Sequence, residues 1–365
     1  MQDHWVLTLE VRKDNWAETR IERTPLNTDL KDNEVLFKVN RIALTSNNIS
    51  YASAGDALAY WEFFPTSDGW GRIPGMGWAE VIDSKHPDIK VGERVWGFFP
   101  YTSHHKIVAG RSNSKGFKDV SKHRDNHASV YVQFDRASAF SAYDPLREDQ
   151  DILLRGLYTT SWLVEDFLNT NNLFGAQDCL ITSASSKTSI ALAHVIKKRG
   201  KLNRVGITSP RNTNFCKNLG CYDQVFTYDQ IDNLEASRMA VMVDMAGSSE
   251  VISAVHQHYK ENLAYSCLIG STHHDKVGSV KGLRGPKPTF FFAPLHMQQR
   301  SQQLGAELFS AMLVSDYAQF RQFCDSWLTI NRSYGEQAVN DIYQQVLAGN
   351  VEANLGQIVS LGSNG

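Results

Sequence analysis

The first part of the chain has the alternating pattern of a β-rich domain. Over residues 1–110, short runs of alternating apolar and polar positions are separated by turn sequences such as Asp32-Asn33 and Pro74-Gly75. Strands with one buried face show this two-residue period, so the pattern predicts a barrel-like sheet. The predicted strands are Trp5–Val11, Glu34–Ala43, Trp78–Ser84, Arg94–Phe99 and His105–Val108. The polar stretch 110–128, which mixes glycine, serine and charged residues, predicts a surface loop or an inserted excursion.

The pattern changes near residue 146, where strand-like and helix-like segments begin to alternate. Such alternation over about 120 residues is typical of βαβ units, which form a parallel sheet with helices on both faces. The predicted helices are Leu153–Leu168, Thr188–Arg199, Asn214–Leu219, Ser249–Tyr259, Leu304–Ile330 and Glu336–Ala348. The predicted strands of this part are Cys179–Thr182, Arg204–Thr208, Gln224–Thr227, Ala240–Asp244, Ala264–Ile269 and Gln357–Leu361.

Composition narrows the class of protein. The chain has 365 residues, of which 42% are hydrophobic, and a formal net charge of −2. This length predicts two or three domains, and the near-neutral charge argues against nucleic acid as the main partner. Neither an apolar run of about 18 residues nor a signal-peptide pattern is present, so we expect no membrane partner. Five scattered cysteines without a C-x-x-C pair are typical of reduced thiols in a cytoplasmic protein.

Several segments, read in order, resemble the medium-chain dehydrogenase/reductase superfamily. They are NEVLFKVNRIAL at 33–44, IPGMGWAEVI at 73–82, IKVGERVWGF at 89–98, LLRGLYTTSWLV at 153–164, CLITSASSKTSIALAHVIKKRG at 179–200, CKNLGCYDQVFTY at 216–228 and GQIVSL at 356–361. The chain is most similar to the zinc-free quinone-oxidoreductase and enoyl-reductase branch. Its differences from that branch are compatible with an uncharacterised bacterial family within the superfamily.

The resemblance implies an α/β protein with a GroES-like β-barrel domain plus a Rossmann domain that has a doubly wound parallel sheet. We place the barrel domain, which would hold the substrate, at residues 1–145 with 300–365. The dinucleotide-binding Rossmann domain is expected at residues 146–299.

The turn between the predicted strand Cys179–Thr182 and the following helix is the expected phosphate site. A strand–turn–helix presents backbone N–H groups and a positive helix end to a pyrophosphate. We therefore expect Ser185, Ser186 and Lys187 to bind the cofactor, although the family has glycine where Ser185, Ser186 and Thr188 stand. A polar helix cap without cofactor binding is the alternative.

The end of the second predicted strand, Arg204–Thr208, bears on the choice of nucleotide. An acidic residue there would bind a ribose 2′-hydroxyl and select NADH. The sequence instead continues Ser209-Pro210-Arg211, in which a serine and a guanidinium could bind a 2′-phosphate. We therefore expect NADP(H) as cofactor, with Ser209 and Arg211 as binding residues. A surface arginine in a loop is the alternative for Arg211.

Zinc ligands are missing from the positions at which zinc-dependent relatives carry them. The early barrel stretch 44–48 and the residues after Pro74-Gly75 contain neither cysteine nor histidine. We therefore expect no catalytic or structural zinc.

Aromatic residues are concentrated between 51 and 101, where 11 of 51 residues are aromatic, against 11% for the chain. The segment 60–64, Tyr-Trp-Glu-Phe-Phe, lies between turn-like sequences, so we interpret it as a wall or lid for a bulky apolar substrate. Cover for the core, or a homodimer contact, is the alternative. By resemblance, Tyr60 is the candidate catalytic residue and Asn48 a polar residue of the substrate pocket.

Four further cofactor-binding residues are implied by the resemblance. Thr159 and Thr160 correspond to a threonine beside the nicotinamide. Gly270 and Ser271 correspond to backbone groups that hold its carboxamide.

The sequence thus predicts an NADPH-dependent, zinc-free oxidoreductase that transfers a hydride to an activated double bond or a quinone. The substituted glycines leave a second hypothesis open. It is a non-catalytic protein on the same fold that binds NADPH or senses a small molecule.

Overall fold

The computed structural model of the chain describes residues 4–269 and 282–362. Its contacts divide the chain into two compact units. Unit 1 is Met1–Leu153 with Leu328–Gly365, and unit 2 is Leu154–Trp327.

The secondary structure is mixed along the chain. The strands are β1 (Trp5–Arg12), β2 (Thr19–Pro25), β3 (Glu34–Leu44), β4 (Trp70–Gly71), β5 (Pro74–Ser84), β6 (Arg94–Pro100), β7 (His104–Val108), β8 (Gly116–Lys118), β9 (Gln133–Arg136), β10 (Asp178–Ile181), β11 (Asn203–Thr208), β12 (Gln224–Thr227), β13 (Ala240–Asp244), β14 (Leu263–Leu268), β15 (Thr289–Phe290), β16 (Thr329–Tyr334) and β17 (Leu355–Ser360). The helices are α1 (Ser46–Ser53), α2 (Ser129–Val132), α3 (Glu148–Thr170), α4 (Lys187–Arg199), α5 (Thr213–Asn218), α6 (Ser249–Tyr259), α7 (Ala293–Leu304), α8 (Ala306–Cys324) and α9 (Glu336–Leu347).

Unit 1 is built on a large mixed sheet with the strand order β16-β17-β3-β5-β6-β9-β8, in which β7 also pairs with β3. Strands β16 and β17 are parallel, and the other pairs are antiparallel. A smaller sheet has the order β2-β1-β4. Aromatic side chains fill the core, where Phe37 stacks on Phe134 with ring centroids 5.2 Å apart. Gly97 makes room for them, because a Cβ there would lie 2.4 Å from the Phe134 ring.

Unit 2 contains a parallel sheet with the strand order β12-β11-β10-β13-β14-β15. The chain moves outward from β10 to β12, then returns to the other side of β10 with β13. This is the doubly wound Rossmann order, whose switch point lies between β10 and β13. All five residues of β13, Ala240–Asp244, are buried. Such apolar strands are typical of a parallel sheet covered on both faces.

Two sequence predictions are wrong and have a clear physical reason. The predicted helix Leu304–Ile330 ends at Cys324, and Thr329 already begins β16, which pairs with β17. The stretch 110–128 is not a simple surface loop, since it contains β8, and Phe117 is buried in the aromatic core. A tight turn brings β8 back to the sheet, where the Gly116 N–H donates to the Asn113 carbonyl at 3.2 Å.

The predicted boundary between the two domains, at residues 299/300, lies inside unit 2 of the structure. The α8 residues Tyr317 and Phe320 pack on Tyr158 of α3, with ring centroids 5.6 and 5.0 Å apart. The Trp162 indole donates to Asp316 at 2.9 Å. These contacts group residues 300–327 with the Rossmann sheet, so the chain returns to unit 1 at Leu328.

Two observations bear on the expectations from composition. All five cysteines are buried and free of disulfides. No helix in the described ranges has the length and apolar character needed to cross a bilayer.

Candidate functional site

The family has glycines in the turn after β10, but the backbone dihedral angles at these positions do not require glycine. Its left-handed residue is Ser183, with φ of 47°, whereas Ser185, Ser186 and Thr188 keep negative φ values. The Ser186 N–H donates to the Ser183 carbonyl at 2.7 Å and closes the turn. The remaining reason for glycine is close approach to a ligand, and serine is the smallest polar substitute.

The helix α4 begins directly after this turn. Ser186 is its N-cap, and the Ser186 hydroxyl accepts from the Ser189 N–H and donates to the Ser189 hydroxyl at 2.8 Å. Neither the Ser185 N–H nor the Thr188 N–H has a hydrogen-bond partner in the described part of the chain. The turn thus presents two backbone donors at the positive end of a helix, which is the arrangement that binds phosphate.

The turn is held by contacts with the two neighbouring strands, β11 and β13. The buried Ala184 lies against Gly206 of β11, where a Cβ would come within 2.9 Å of the Ala184 Cβ. Asp244, at the end of β13, accepts from the Thr182 hydroxyl and the Gly247 N–H, both at 2.6 Å. Burial raises the pKa of Asp244, while these hydrogen bonds lower it. Asp244 therefore holds the β10 and β13 ends together and has a structural role.

The end of β11 lies next to the turn. Ser209 and Arg211 belong to a short 3-10 turn, Pro210–Asn212 with Ser209 as its N-cap, and Arg211 is exposed. The Asn212 amide donates to the Ser185 hydroxyl at 2.9 Å and to the Ser209 hydroxyl at 3.3 Å. The structure therefore brings Ser185 and Ser209 together through a residue that the sequence analysis missed.

Lys187, the first residue of α4, is half-buried, and this burial lowers the pKa of its ammonium group from 10.5 to about 8. The pKa in the folded protein is thus below that of the unfolded chain. The unfolded chain binds more protons between these two values, so protonated Lys187 costs stability at pH 7. An anion beside the ammonium group would raise its pKa again and offset that cost.

Replacing Lys187 by methionine should therefore stabilise the ligand-free protein. At pH 7 we expect the free energy of unfolding to rise by about 1–2 kcal/mol, the scale of one to two pKa units. The gain should shrink as the pH rises above about 8 and become small by pH 10.5, where Lys187 of the parent protein is neutral in the folded state and half neutral in the unfolded chain. Urea unfolding at pH 7 and 10.5 measures it, with exposed Lys201→Met as the control. A loss of stability at pH 7 would contradict the burial argument.

The candidate threonines lie on the half-buried face of α3. The Thr159 hydroxyl donates to the Arg155 carbonyl at 2.8 Å, and the Thr160 hydroxyl to the Gly156 carbonyl at 3.4 Å. The next residue, Ser161, donates to the Thr188 carbonyl at 2.7 Å, so this part of α3 contacts the start of α4. The oxygens of both threonines keep acceptor capacity. Gly270 and Ser271 lie outside the described residues.

Tyr60, in unit 1, belongs to a group of three tyrosines that we call the tyrosine cluster: Tyr51, Tyr60 and Tyr131. The Tyr60 ring centroid lies 4.9 Å from that of Tyr51 and 6.1 Å from that of Tyr131. Burial raises the pKa of all three hydroxyls, and a hydrogen-bonding interaction with Tyr131 lowers those of Tyr51 and Tyr60. All three hydroxyls therefore carry their protons at neutral pH. The sequence analysis missed Tyr51 and Tyr131 as neighbours of Tyr60.

The rest of the segment 60–64 is core rather than an open wall. Trp61, Phe63 and Phe64 are 7%, 2% and 3% exposed. The buried Arg124 guanidinium donates to the Phe63 carbonyl at 2.7 Å and lies over the Phe63 and Phe64 rings. The predicted wall or lid is therefore wrong for these three side chains, because they pack inward and leave Tyr60 as the half-buried member.

The side chain of Asn48 forms hydrogen bonds with other residues of unit 1. Its carbonyl accepts from the Thr45 N–H at 2.7 Å and from the Thr45 hydroxyl at 3.0 Å, and its amide donates to the Pro74 carbonyl at 2.8 Å. Asn48 thus caps α1 and ties it to β5, which explains a buried polar residue here without a substrate.

Metal ligands do not gather within the described ranges: no group of three or more histidine, cysteine or acidic residues there could hold an ion.

The comparisons with known proteins give a family and a fold. Residues 42–352 match the family described as "Protein of unknown function (DUF2855)". No curated protein sequence matches the chain.

Solved structures match the chain over nearly its whole length. CurA from Vibrio vulnificus in complex with NADPH has a TM-score of 0.63 at 12% identity and covers 95% of each chain. The complex of Etr1p with NADP and crotonyl-CoA has a TM-score of 0.60 at 12% identity, with 98% of this chain and 99% of that chain covered. The quinone oxidoreductase from Coxiella burnetii has a TM-score of 0.56 at 15% identity, with 98% and 100% covered.

At these identities the comparison establishes the fold. The predicted fold, a GroES-like domain plus a Rossmann domain, is confirmed.

Proposed function

The chain belongs to the DUF2855 family, and we propose that it is an NADPH-dependent, zinc-free oxidoreductase that delivers a hydride to an activated double bond or a quinone. The observation that carries this proposal is the small, donor-rich turn 183–186 at the switch point of the Rossmann sheet, beside a strand end that bears Ser209 and Arg211. Structures of the same fold solved with NADP or NADPH support it.

The residues of the turn suit a pyrophosphate. The N–H groups of Ser185 and Thr188 would donate to its oxygens, together with the positive end of α4. The Ser186 hydroxyl is used by the helix cap, so Ser186 would contribute mainly by its small size. Lys187 would add a positive charge below about pH 8.

The end of β11 suits a 2′-phosphate. Ser209 and Arg211 are followed by Asn212, and this turn contains no carboxylate that would repel the phosphate. An exposed guanidinium can fork onto a phosphate with two hydrogen bonds.

Replacing Arg211 by alanine should therefore weaken NADPH selectively. We expect a loss of about 1–3 kcal/mol, the scale of a charged hydrogen bond, with little change for NADH. Quenching of tryptophan fluorescence measures both dissociation constants, and Lys217→Ala removes an exposed charge from α5 as the control. Equal losses for NADPH and NADH would refute the assignment of Arg211 to the 2′-phosphate.

Bound NADPH supplies the hydride, and the protein must position the nicotinamide and provide a proton. Thr159 and Thr160 have oxygens that could accept from the carboxamide. Tyr60 is the proposed proton donor, because the family resemblance points to this position and its hydroxyl carries a proton at neutral pH. The aromatic surroundings of the tyrosine cluster suit a bulky apolar substrate.

A non-catalytic NADPH-binding or sensing role is the second candidate. It is favoured by the close packing of Phe63, Phe64 and Phe98 around the tyrosine cluster and by the engagement of Asn48 in the fold.

One experiment separates the two candidates. Purified protein is titrated with NADPH, and NADPH oxidation is then followed with 1,4-naphthoquinone and with 4-phenyl-3-buten-2-one. Binding with turnover supports the oxidoreductase, and binding without turnover on either compound favours the sensor. Absence of NADPH binding would contradict both.

A further inference from the structure

Asn212 occupies a position that connects the two halves of the proposed nucleotide site. It is the last residue of the turn Pro210–Asn212, and its side chain is half-buried. Its amide nitrogen donates to the Ser185 hydroxyl oxygen at 2.9 Å and to the Ser209 hydroxyl oxygen at 3.3 Å. Ser185 belongs to the turn after β10 and Ser209 to the end of β11, so one amide group fixes both loops.

These hydrogen bonds determine what the two serines can do. A hydroxyl group has one proton and two acceptor lone pairs. Because the Asn212 amide donates to both oxygens, each serine accepts from Asn212 and keeps its own proton for another acceptor. Phosphate oxygens are acceptors only, so this orientation suits a phosphate at each serine.

We infer that Asn212 is a positioning residue that sets nucleotide specificity, by keeping the hydroxyls of Ser185 and Ser209 as donors toward the phosphates of NADPH. The inference rests on the proposed function, because it concerns the same nucleotide site. Asn212 itself need not touch the nucleotide. It acts through the two serines and keeps the end of β11 free of negative charge.

Replacing Asn212 by aspartate, which has nearly the same size, removes the amide donor and adds a negative charge at the end of β11. A carboxylate only accepts hydrogen bonds, so Ser185 and Ser209 would turn their protons toward it and away from a phosphate. The added charge would also repel a 2′-phosphate and could accept from the 2′-hydroxyl of NADH. Asn212→Asp should therefore shift the preference of the protein from NADPH toward NADH.

The test measures dissociation constants of NADPH, NADH and 2′,5′-ADP by fluorescence titration at pH 7 and 0.15 M salt. For Asn212→Asp we expect NADPH and 2′,5′-ADP to bind about tenfold or more weakly, and NADH to change by less than about threefold. Asn212→Ala removes the hydrogen bonds without adding charge, so it should lower the preference for NADPH by about threefold. Circular dichroism and the melting temperature show whether Asn212→Asp folds. If it does not, Asn212→Ala alone tests the inference.

The matched control is Asn214→Asp, which adds the same charge at an exposed position two residues further along. It should change the ratio of the NADH and NADPH dissociation constants by less than about twofold, because salt screens an exposed charge. Equal effects of Asn212→Asp and Asn214→Asp would overturn the inference, as would equal losses for NADPH and NADH in either Asn212 variant. If the wild-type protein binds none of the three compounds, the proposed function is wrong and the inference fails with it.

Discussion

Ser185→Val should abolish NADPH binding while leaving the melting temperature of the ligand-free protein nearly unchanged. The two methyl groups would lie where a phosphate has to approach the N–H groups of Ser185 and Thr188, so we expect the dissociation constant to rise by a factor on the order of 100 or more. The fold should tolerate valine, because Ser185 is half-buried and its φ is negative.

Ser185→Ala is the matched control for this prediction. It removes the hydroxyl that accepts from Asn212 at 2.9 Å, but it adds no bulk. We therefore expect only the loss of a hydrogen bond, about 1 kcal/mol, which is roughly fivefold in the dissociation constant. Fluorescence titration and thermal unfolding of both variants measure the difference. If Ser185→Val binds NADPH as well as the parent, the phosphates bind elsewhere and the turn is only a helix cap.

The parallel sheet could be predicted from sequence because its strands have a local signal. The runs Asp178–Ile181 and Ala240–Asp244 are buried at every residue, and each is followed by a turn and a helix with its own N-cap serine. These features depend on neighbouring residues only, so periodicity and capping rules find them.

The last part of unit 1 lacks such a signal. β16, Thr329–Tyr334, has no fully buried residue, so its sequence lacks the apolar run that marks strands such as Ala240–Asp244. The sequence pattern therefore predicts that the helix α8 continues to Ile330. Strands without a buried apolar run are the ones that local patterns miss.

The same distinction applies to the candidate site. Ser185 and Arg211 could be proposed from their places after the first and second strands of the parallel sheet. Asn212 could not, because its contact with Ser185 joins residues 27 positions apart. Tyr131 could not be predicted for a similar reason. It lies next to the stretch predicted as a loop, and its ring comes beside that of Tyr60 only in the folded chain.

Tyr60→Phe should reduce the turnover of an enone far more than the binding of NADPH. The variant keeps the ring, which packs against Tyr51 and Phe63 at 4.9 and 5.2 Å, and loses only the hydroxyl. Protonation of a carbon atom next to a carbonyl group needs a positioned acid, and general acid catalysis is worth on the order of 10²–10⁴ in rate. We expect kcat for 4-phenyl-3-buten-2-one to fall by about that factor, and the dissociation constant of NADPH to change by less than about twofold.

The other tyrosines provide the controls for this assignment. Tyr131→Phe removes a hydroxyl that interacts with that of Tyr60, so it should lower kcat by about tenfold as a positioning effect. Exposed Tyr334→Phe in β16 should have no effect. Reduction of 1,4-naphthoquinone should depend less on Tyr60, since its product is an oxygen anion that water can protonate. Stopped-flow traces of NADPH oxidation measure each rate. If Tyr60→Phe keeps full enone activity while Tyr131→Phe loses it, the proton donor is Tyr131 and the assignment of Tyr60 is wrong.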